Sequence, residues 1–299
     1  MAGIDFLYQS QLPYGEFRTY ACSDEEMRTD CYFDSSPFVT TFVLYSINFV
    51  DDPKAKDMME KAIHFFLEEM DSRGLWKYWT SRNDRNINPD LDDTSCISYI
   101  LVKNRIPFES NLDIILANRD DQGRFYTWVR DPDRENDIDC VVNANVLLYL
   151  GENKDTRETC QYLNKVVSDG QEDSCSPYYP GRLFLYYMLS RAYFNGASCL
   201  HTSRDLIVER VISMQEDDGS FGNELSTALA ACTLLNFDDH GPSVFEAIEY
   251  ILGAQAKDGS WPRAVFFLGP APYYGSEELT TAICIEALVR YQSLMRSTE

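Results

Sequence analysis

The sequence predicts an all-α protein, a single (α/α)6 barrel made of six helical hairpins. Three observations predict it. A motif centred on glycine recurs at intervals of roughly fifty residues, which is enough for two helices and their turns. Each recurrence is followed by a helical stretch that is apolar almost all round, and strand-like alternation is nearly absent. The 299 residues are therefore expected to form one barrel domain, residues 1–299.

The clearest copy of the repeat runs from Tyr250 through Gln255 and Gly259 to Trp261. In each unit we expect an amphipathic helix to end, glycine to turn the chain with a positive φ, and the aromatic ring to cover the junction. The glutamine is expected to bond backbone groups at the helix end and to tie one unit to the next. Further copies, in decreasing quality of match, are centred on Gly219, Gly15, Gly74, Gly123 and Gly170.

Two sets of helices are predicted to alternate along the chain. An open solenoid of the same hairpins is the structural alternative, but helices that are apolar on every face favour a closed ring. The apolar set, expected inside the ring, covers residues 37–50, 94–103, 140–150, 181–193, 225–237 and 279–292. The amphipathic set, expected outside, covers residues 54–69, 112–118, 156–167, 204–214 and 243–254.

The acidic composition argues against two kinds of partner. Nucleic acid and anionic lipid both need a basic surface, whereas this chain has 48 acidic against 26 basic residues and a net charge of −22. No apolar run approaches the roughly 18–20 residues of a membrane span. The N-terminal segment has neither the basic nor the apolar region of a signal peptide. We expect no nucleic acid partner and at most peripheral membrane contact.

The nine cysteines are scattered, their number is odd, and no C-x-x-C pair occurs. This pattern predicts reduced thiols, as in a cytoplasmic protein, rather than a disulfide framework or a zinc ribbon. The three histidines, His64, His201 and His240, lie far apart, which leaves little material for a histidine-based metal site. No metal ligands are predicted.

The strongest chemical signal is the run Asp90-Leu91-Asp92-Asp93-Thr94, where the second inner helix is expected to begin. Acids are also favoured at helix N-termini as caps, so a structural role is the alternative. At the mouth of a barrel, three neighbouring carboxyls cannot all ionise in a low-dielectric cavity, and at least one should stay protonated with a raised pKa. Asp92 has an acid on either side, so we predict it as the proton donor, with Asp90 and Asp93 in support.

Both features resemble one enzyme family. The repeats resemble the glutamine–tryptophan motifs of squalene–hopene cyclases, and residues 90–94 match the D-x-D-D-T acid motif of class II terpene cyclases. The resemblance covers nearly the whole chain, but as one barrel, and is therefore to the monodomain class II cyclases. It implies an isomerase in which Asp92 protonates an alkene or epoxide while Asp90 and Asp93 position it. A cation cascade then ends by deprotonation or by capture by a hydroxyl.

The resemblance also implies the substrate. A linear farnesyl or geranylgeranyl chain is expected, either as a free diphosphate or attached to an aromatic acid. Protonation of such a chain requires no cofactor, and Mg²⁺ would be needed only for a substrate that carries a diphosphate. No obligate protein partner is expected.

A tertiary carbocation must be shielded from water and is held best by aromatic faces. The aromatic content of 13% therefore fits a pocket lined by such rings. Trp79 and Trp128 follow their landmark glycines by five residues and are expected near the mouth, with Tyr20 at the same offset in the first unit. Aromatic side chains that only cover junctions between helices are the alternative. The candidates on the inner helices are Phe42, Tyr99, Phe184 and Tyr187.

Polar groups at other inner-helix starts are further candidates. Asp139 and Asn143 open the third inner helix and could hydrogen-bond the Asp92 carboxyl or return its proton; a helix cap is the equal alternative. Arg182 opens the fourth inner helix and could hold a diphosphate or carboxylate head group. Arg18 and Lys77 are the other basic candidates for that role.

The apolar segment 264–275 is too long for an ordinary turn. It is predicted to act as a lid or a shallow membrane contact, with buried packing as the alternative.

Other functions fit a helical barrel. A protein prenyltransferase β-subunit would need an Asp/Cys/His zinc site, and a glycosidase would use paired carboxylates. A non-catalytic scaffold would leave the acid triad unexplained. Terpene cyclisation by ionisation of a diphosphate on a metal cluster would need a D-D-x-x-D motif, which the sequence lacks.

Overall fold

The computed structural model describes residues 1–131 and 133–297, and this part of the chain contains twelve α-helices. Six of them are buried on nearly every face: α2 (Pro37–Ile47), α4 (Leu91–Lys103), α6 (Cys140–Leu150), α8 (Arg182–Phe194), α10 (Glu224–Asn236) and α12 (Glu277–Ser297). The other six bury one face: α1 (Ala2–Ser10), α3 (Pro53–Glu69), α5 (Leu112–Ala117), α7 (Arg157–Ser168), α9 (His201–Ile212) and α11 (Pro242–Ala254).

The buried helices form a closed ring. Each contacts the next in the order α2, α4, α6, α8, α10 and α12, and α12 returns to contact α2. The one-sided helices pack around this ring, for example α7 on α6 and α11 on α10. The structure thus confirms the predicted (α/α)6 barrel and excludes the open solenoid.

The start of α4 lies earlier than predicted, and the reason is a cap. Asp90 has an extended backbone, and its Oδ1 accepts a hydrogen bond of 2.8 Å from the backbone N–H of Asp93. The helix therefore begins at Leu91, and Asp92 and Asp93 occupy its first turn. The carboxyls of the motif consequently lie at the end of the barrel where the inner helices start.

The repeat motif joins successive hairpins as expected. Gln11 Nε2 donates to the carbonyl oxygens of Gly15 and Met58, both at 2.9 Å, and so links the first unit to α3. Gly15 has a φ of 107°, and a Cβ there would lie 2.2 Å from the Lys61 carbonyl oxygen, so only glycine fits. Gln215 makes the same pair of bonds to Gly219 and Ser243.

A second recurring bond links each junction aromatic to the following inner helix. The backbone N–H of the aromatic residue donates to a side-chain oxygen on that helix. The described residues contain five such pairs: Phe17 with Thr40, Trp76 with Thr94, Phe125 with Asn143, Phe221 with Thr227, and Trp261 with Thr281. Thr94 of the acid motif is therefore a structural tie.

Three disulfides overturn the expectation of reduced thiols. Cys22 is bonded to Cys31, Cys140 to Cys175, and Cys160 to Cys199. The remaining cysteines, 96, 232 and 284, are buried free thiols on inner helices. Each bonded pair lies at least nine positions apart in sequence, so spacing alone did not reveal partners that the fold brings together.

A small antiparallel sheet covers part of the mouth. Its strands are ordered β2-β1-β4-β3, with bounds Tyr20–Cys22 (β1), Tyr32–Phe33 (β2), Phe267–Leu268 (β3) and Tyr273–Gly275 (β4). The pairing of β1 with β4 joins the N-terminal unit to segment 264–275. Among the helices of residues 1–131 and 133–297, none is long and apolar enough to cross a membrane.

Candidate active site

The three aspartates of the motif are all buried at the mouth of the barrel. Asp90, Asp92 and Asp93 expose only 4%, 9% and 2% of their surface. Burial disfavours the charged form and raises the pKa of Asp92 and, far more, that of Asp93. Burial and the charge of Asp92 raise the pKa of Asp90 to about 7. The group therefore retains protons at pH values where exposed aspartates are ionised.

Asp92 is held by donors from two other inner-helix units. Asn145 on α6 donates from Nδ2 to Asp92 Oδ1 at 2.6 Å, and the Tyr179 hydroxyl donates to Asp92 Oδ2 at 2.5 Å. These bonds lower the pKa of Asp92 against the effect of burial. Burial and the Asp92 charge raise the pKa of Tyr179 well above its usual value, so its hydroxyl stays a neutral donor.

A fully buried arginine lies behind Asp92. Arg191 on α8 donates from Nη2 to Asn145 Oδ1 at 2.6 Å and to Cys96 Sγ at 3.5 Å. Its guanidinium carbon stands 4.7 Å from the centre of the Phe42 ring, a cation–π contact. The positive charge also lowers the pKa of Asp92. A chain of two hydrogen bonds therefore joins the acid to a permanent cation inside the barrel.

Four buried polar atoms beside the triad have no hydrogen-bond partner within the described part of the chain when the carboxyls are ionised. They are Asp90 Oδ2, Asp93 Oδ1, Tyr78 Oη and Thr127 Oγ1. The Asp90 and Asp93 side chains bond each other once one of them carries a proton. Buried polar atoms are almost always bonded, so the two hydroxyls are typical of a site for a ligand or water. All four residues border the same pocket.

This pocket has a volume of about 210 Å³ and opens at the mouth of the barrel. Its remaining wall is apolar and mostly aromatic, with the rings of Phe38, Tyr78, Trp79, Trp128, Tyr178, Tyr179, Phe267 and Tyr274 around the three carboxyls. Rings of this kind attract a cation through their faces and exclude water from it. The arrangement thus pairs a protonated acid with a surface that tolerates positive charge.

The structure brings together five of the predicted residues: the three aspartates and both tryptophans. Trp79 Nε1 donates to Asp34 at 3.2 Å, and the Arg85 guanidinium stacks 4.3 Å from the Trp79 ring centre. Trp128 Nε1 donates to the Tyr178 hydroxyl at 3.2 Å. Each indole is therefore oriented by a partner while its ring faces the pocket.

The other predicted aromatics lie outside the pocket lining. Tyr20 stacks under the Arg263 guanidinium at 4.2 Å, and Tyr99 donates to Asn195 at 2.6 Å near the C-terminal ends of α4 and α8. Phe42, Phe184 and Tyr187 are buried deeper in the barrel as core. Periodicity placed the last three on inner helices but could not give their depth along the barrel axis.

Two of the polar candidates are structural. Asn143 bonds the backbone of Phe125 through both its amide oxygen and its nitrogen, so it belongs to the recurring ties between units. Asp139 caps α6 by accepting from the N–H groups of Val141 and Val142, and it accepts from the Ser176 hydroxyl. Burial raises the pKa of Asp139 to about 7, but no bond joins it to Asp92.

The basic candidates are also engaged elsewhere. Arg182 forms a surface ion pair with Asp173 and does not line the pocket. Arg18 donates to the Ser10 carbonyl at 2.9 Å, and Lys77 donates to Asn86 at 3.0 Å. In the described residues, no group of three or more His, Cys, Asp or Glu side chains is arranged to hold a metal ion.

Sequence reasoning missed the partners of the acid, Asn145, Tyr179 and Arg191. A signal was present, because Asn145 and Arg191 are polar residues inside otherwise apolar helices. Segment 264–275 contributes both to the core and to the pocket wall. Its Phe266 is fully buried among barrel rings, as in the buried packing considered as the alternative, and its Phe267 lines the pocket. The lid or shallow membrane contact stays a prediction.

Comparison with solved structures agrees with this architecture. The type II terpene cyclase MstE from Scytonema superposes with a TM-score of 0.77 and 14% identity, over 98% of this chain and 97% of that one. The ent-copalyl diphosphate synthase from Streptomyces platensis gives a TM-score of 0.64 and 16% identity, over 86% of this chain and 50% of that one. The structure of UGL with the oligosaccharide dGlcA-Glc-Rha-Glc gives a TM-score of 0.59 and 14% identity, over 97% of this chain and 94% of that one.

No protein-family model and no curated protein sequence matches the chain. At such low identities the structural likeness establishes the shared barrel. The chemistry has to be argued from the side chains in the pocket.

Proposed function

We propose that this protein is a class II terpene or meroterpenoid cyclase, an isomerase that cyclises a linear prenyl chain after protonating it. One observation carries the proposal: a buried aspartate triad faces an aromatic pocket at the mouth of the barrel. A protonated carboxyl in an apolar pocket is suited to give its proton to an alkene, and the surrounding rings are suited to hold the resulting cation.

Asp92 is the proposed general acid. Burial raises its pKa, whereas Asn145, Tyr179 and the charge of Arg191 lower it and stabilise the carboxylate that remains after proton transfer. The acid therefore keeps its proton to higher pH than an exposed aspartate does, yet is stronger than burial alone would make it. Asp90 and Asp93 are proposed to position it, and their own raised pKa values limit repulsion between the carboxyls.

The pocket wall is proposed to guide the cation. Trp79 and Trp128, together with rings the sequence did not single out, surround the acid, so a carbocation formed there meets aromatic faces rather than water. The reaction is proposed to end by loss of a proton or by capture by a hydroxyl of the substrate. No cofactor is required for these steps, and Mg²⁺ would enter only with a substrate that carries a diphosphate.

The proposed substrate is a prenyl chain, free or attached to an aromatic acid. In support, variants of MstE were solved in complex with geranylgeranyl dihydroxybenzoate as the substrate and with merosterolic acid A as the product. Residues 1–299 are proposed to act as one domain without a protein partner. The three disulfides favour an oxidising compartment over the expected cytoplasm.

A glycosidase is the second candidate, favoured by the likeness to the oligosaccharide complex. A sugar site needs hydrogen-bonding groups along its walls, and this pocket is mostly aromatic and aliphatic away from the triad. The pocket chemistry therefore favours the cyclase.

The test is direct incubation. Farnesyl and geranylgeranyl diphosphates, and farnesylated and geranylgeranylated hydroxybenzoic acids, are added to purified protein, and the products are separated by chromatography with mass spectrometry. An isomer of the added chain is expected. Asp92→Asn should abolish it, whereas Asp113→Asn, on the exposed face of α5, should not. Cyclisation by Asp92→Asn, or none by the unmodified protein, would refute the proposal.

A further inference from the structure

The barrel below the pocket is filled with side chains. Phe42 on α2 and Phe184 on α8 pack against Phe266, with ring centres 4.8 Å and 5.6 Å away. All three are buried, and none of them lines the pocket. Phe266 is anchored because its segment pairs with β4, where the Phe266 N–H donates to the Tyr274 carbonyl at 2.7 Å.

The next layer is also occupied. Arg191 stands over the rings of Phe42 and Tyr45 at 4.7 Å and 4.8 Å. The Tyr187 hydroxyl donates to Glu286 at 2.9 Å, and both residues are fully buried. A substrate chain that enters at the mouth therefore meets packed side chains at these positions along the barrel axis.

Phe38, in the first turn of α2, forms the wall between the pocket and this packing. Its ring borders the pocket on one side and lies 5.1 Å from Phe42 and 6.0 Å from Phe266 on the other. The Phe267 ring packs against the Phe38 ring at 4.8 Å on the side of the mouth. These rings hold Phe38 in place. It closes the inner end of the space beside the acids together with Tyr179, which also lines the pocket and lies 6.0 Å from Phe266.

The volume of the pocket determines how much of a chain fits beside the acids. An engineered protein cavity of about 150 Å³ binds benzene, which has six carbons. At the same density the pocket of about 210 Å³ encloses roughly eight carbon atoms, close to two isoprene units. A longer chain can enter with its terminal part, while the remainder and any head group stay at the open mouth.

Building on the proposed function, we infer that Phe38 restricts cyclisation to the terminal two isoprene units, so that the product carries a single new ring. The Asp92 proton adds to the terminal alkene, whose π electrons form the new C–H bond. The π electrons of the next alkene then close the C–C bond of the ring and leave a tertiary cation. That cation loses a neighbouring proton to water at the open mouth of the pocket, which restores an alkene, and Asp92 takes a proton back from solvent.

This inference is tested by counting rings in products from farnesylated and geranylgeranylated hydroxybenzoic acids. Substrate and product have equal mass, but each ring closed removes one double bond, which hydrogenation followed by mass spectrometry counts. The unmodified protein should give monocyclic products. Phe38→Ala adds space for about one benzene ring, which is near one isoprene unit, and should give bicyclic products.

A matched control separates this effect from general loosening. Phe237 is equally buried and packs on Tyr193, away from the pocket, so Phe237→Ala should keep monocyclic products. Phe38→Leu is the milder variant if Phe38→Ala does not fold. Polycyclic products from the unmodified protein, or only monocyclic ones from a folded, active Phe38 variant, would overturn the inference and leave the proposed cyclase intact. Absence of any isomer from the unmodified protein would instead refute both.

Discussion

Asn145 donates a hydrogen bond of 2.6 Å to Asp92, although the two residues stand 53 positions apart in the sequence. The amide oxygen of the same Asn145 accepts from Arg191, so one side chain serves both the acid and the buried cation. An amide is suited to this position because it carries a donor and an acceptor without charge. This bridge makes the acidity of Asp92 depend on residues from three inner helices.

Replacing Asn145 by alanine should slow cyclisation by about 10²–10³-fold, the usual cost of removing one hydrogen bond that stabilises charge in an active site. The carboxylate left after proton transfer would lose a donor, and Arg191 would lose its acceptor. Turnover and thermal unfolding of the variant check this. Asn143→Ala is the control, because Asn143 bonds only backbone groups. This replacement should lower the melting temperature strongly but change the rate of a folded sample little. Equal rates for Asn145→Ala and unmodified protein would contradict the role.

Replacing Arg191 by methionine should move the pH dependence of cyclisation. The Arg191 charge lowers the pKa of Asp92, so its removal raises that pKa. Because the acid acts when protonated, the loss of rate on raising the pH should shift to higher pH, while the plateau rate falls roughly tenfold because the acid is weaker. Removing a buried charge alone leaves its partners unpaired and lowers stability, so the pH profile is compared only for samples that thermal unfolding shows to be folded. Arg182→Met, at an exposed ion pair, should leave the profile unchanged; a shift there, or none for Arg191→Met, would argue against this account.

The stability of the protein should fall as pH rises from about 4.5 to above 7, in part because of Glu16. This side chain is fully buried, and burial raises its pKa from 4.5 to about 7. Below 4.5 the carboxyl is protonated in both folded and unfolded chains. Between the two values the folded state binds a proton that the unfolded state has lost, so stability decreases with pH and the contribution is gone above 7.

A Glu16→Gln variant tests this pH dependence. At about 1.4 kcal/mol per pKa unit, the difference for one carboxyl is on the order of 3 kcal/mol. Melting temperatures measured across this range should decline less steeply in Glu16→Gln, which cannot titrate. Glu26→Gln, at an exposed position, should decline like the unmodified protein. Parallel curves for all three proteins would show that Glu16 does not couple protonation to folding.

The oxidised protein should show three reactive thiols when denatured without reductant and nine after reduction, because six cysteines are paired. Thiol titration with mass spectrometry measures this.

The Cys140–Cys175 bond closes a loop of 35 residues, and its loss should lower the free energy of unfolding by about 3–4 kcal/mol. The double variant Cys140→Ala/Cys175→Ala should also lower activity, since this bond anchors the segment that carries Tyr179. Cys22→Ala/Cys31→Ala, which opens a shorter loop away from the acid, should cost less stability and leave the rate largely unchanged. Nine thiols in the unreduced protein would refute the pairing.

The sequence by itself determined the barrel and the aspartate run at its mouth. The glycine-centred repeat and the all-apolar helices are local patterns, and the physics that turns them into hairpins acts within a few residues of each turn. The D-x-D-D-T run is equally local, because its acids share one helical turn and one cap. Trp79 and Trp128 were found in the same way, from their fixed distance to a glycine.

Only the tertiary structure decided what surrounds those acids. Tyr179 and Asp92 are 87 positions apart, and Tyr187 and Glu286 are 99 apart, so no local pattern predicts that they meet. The same holds for the three disulfides and for Phe266 inside the ring of helices. Helical periodicity tells which face of a helix is buried, but the depth of a side chain along the barrel axis depends on how far each helix is shifted against its neighbours. The position of α2 along this axis puts Phe38 at the pocket wall. Phe42, one turn further along the same helix, lies in the core.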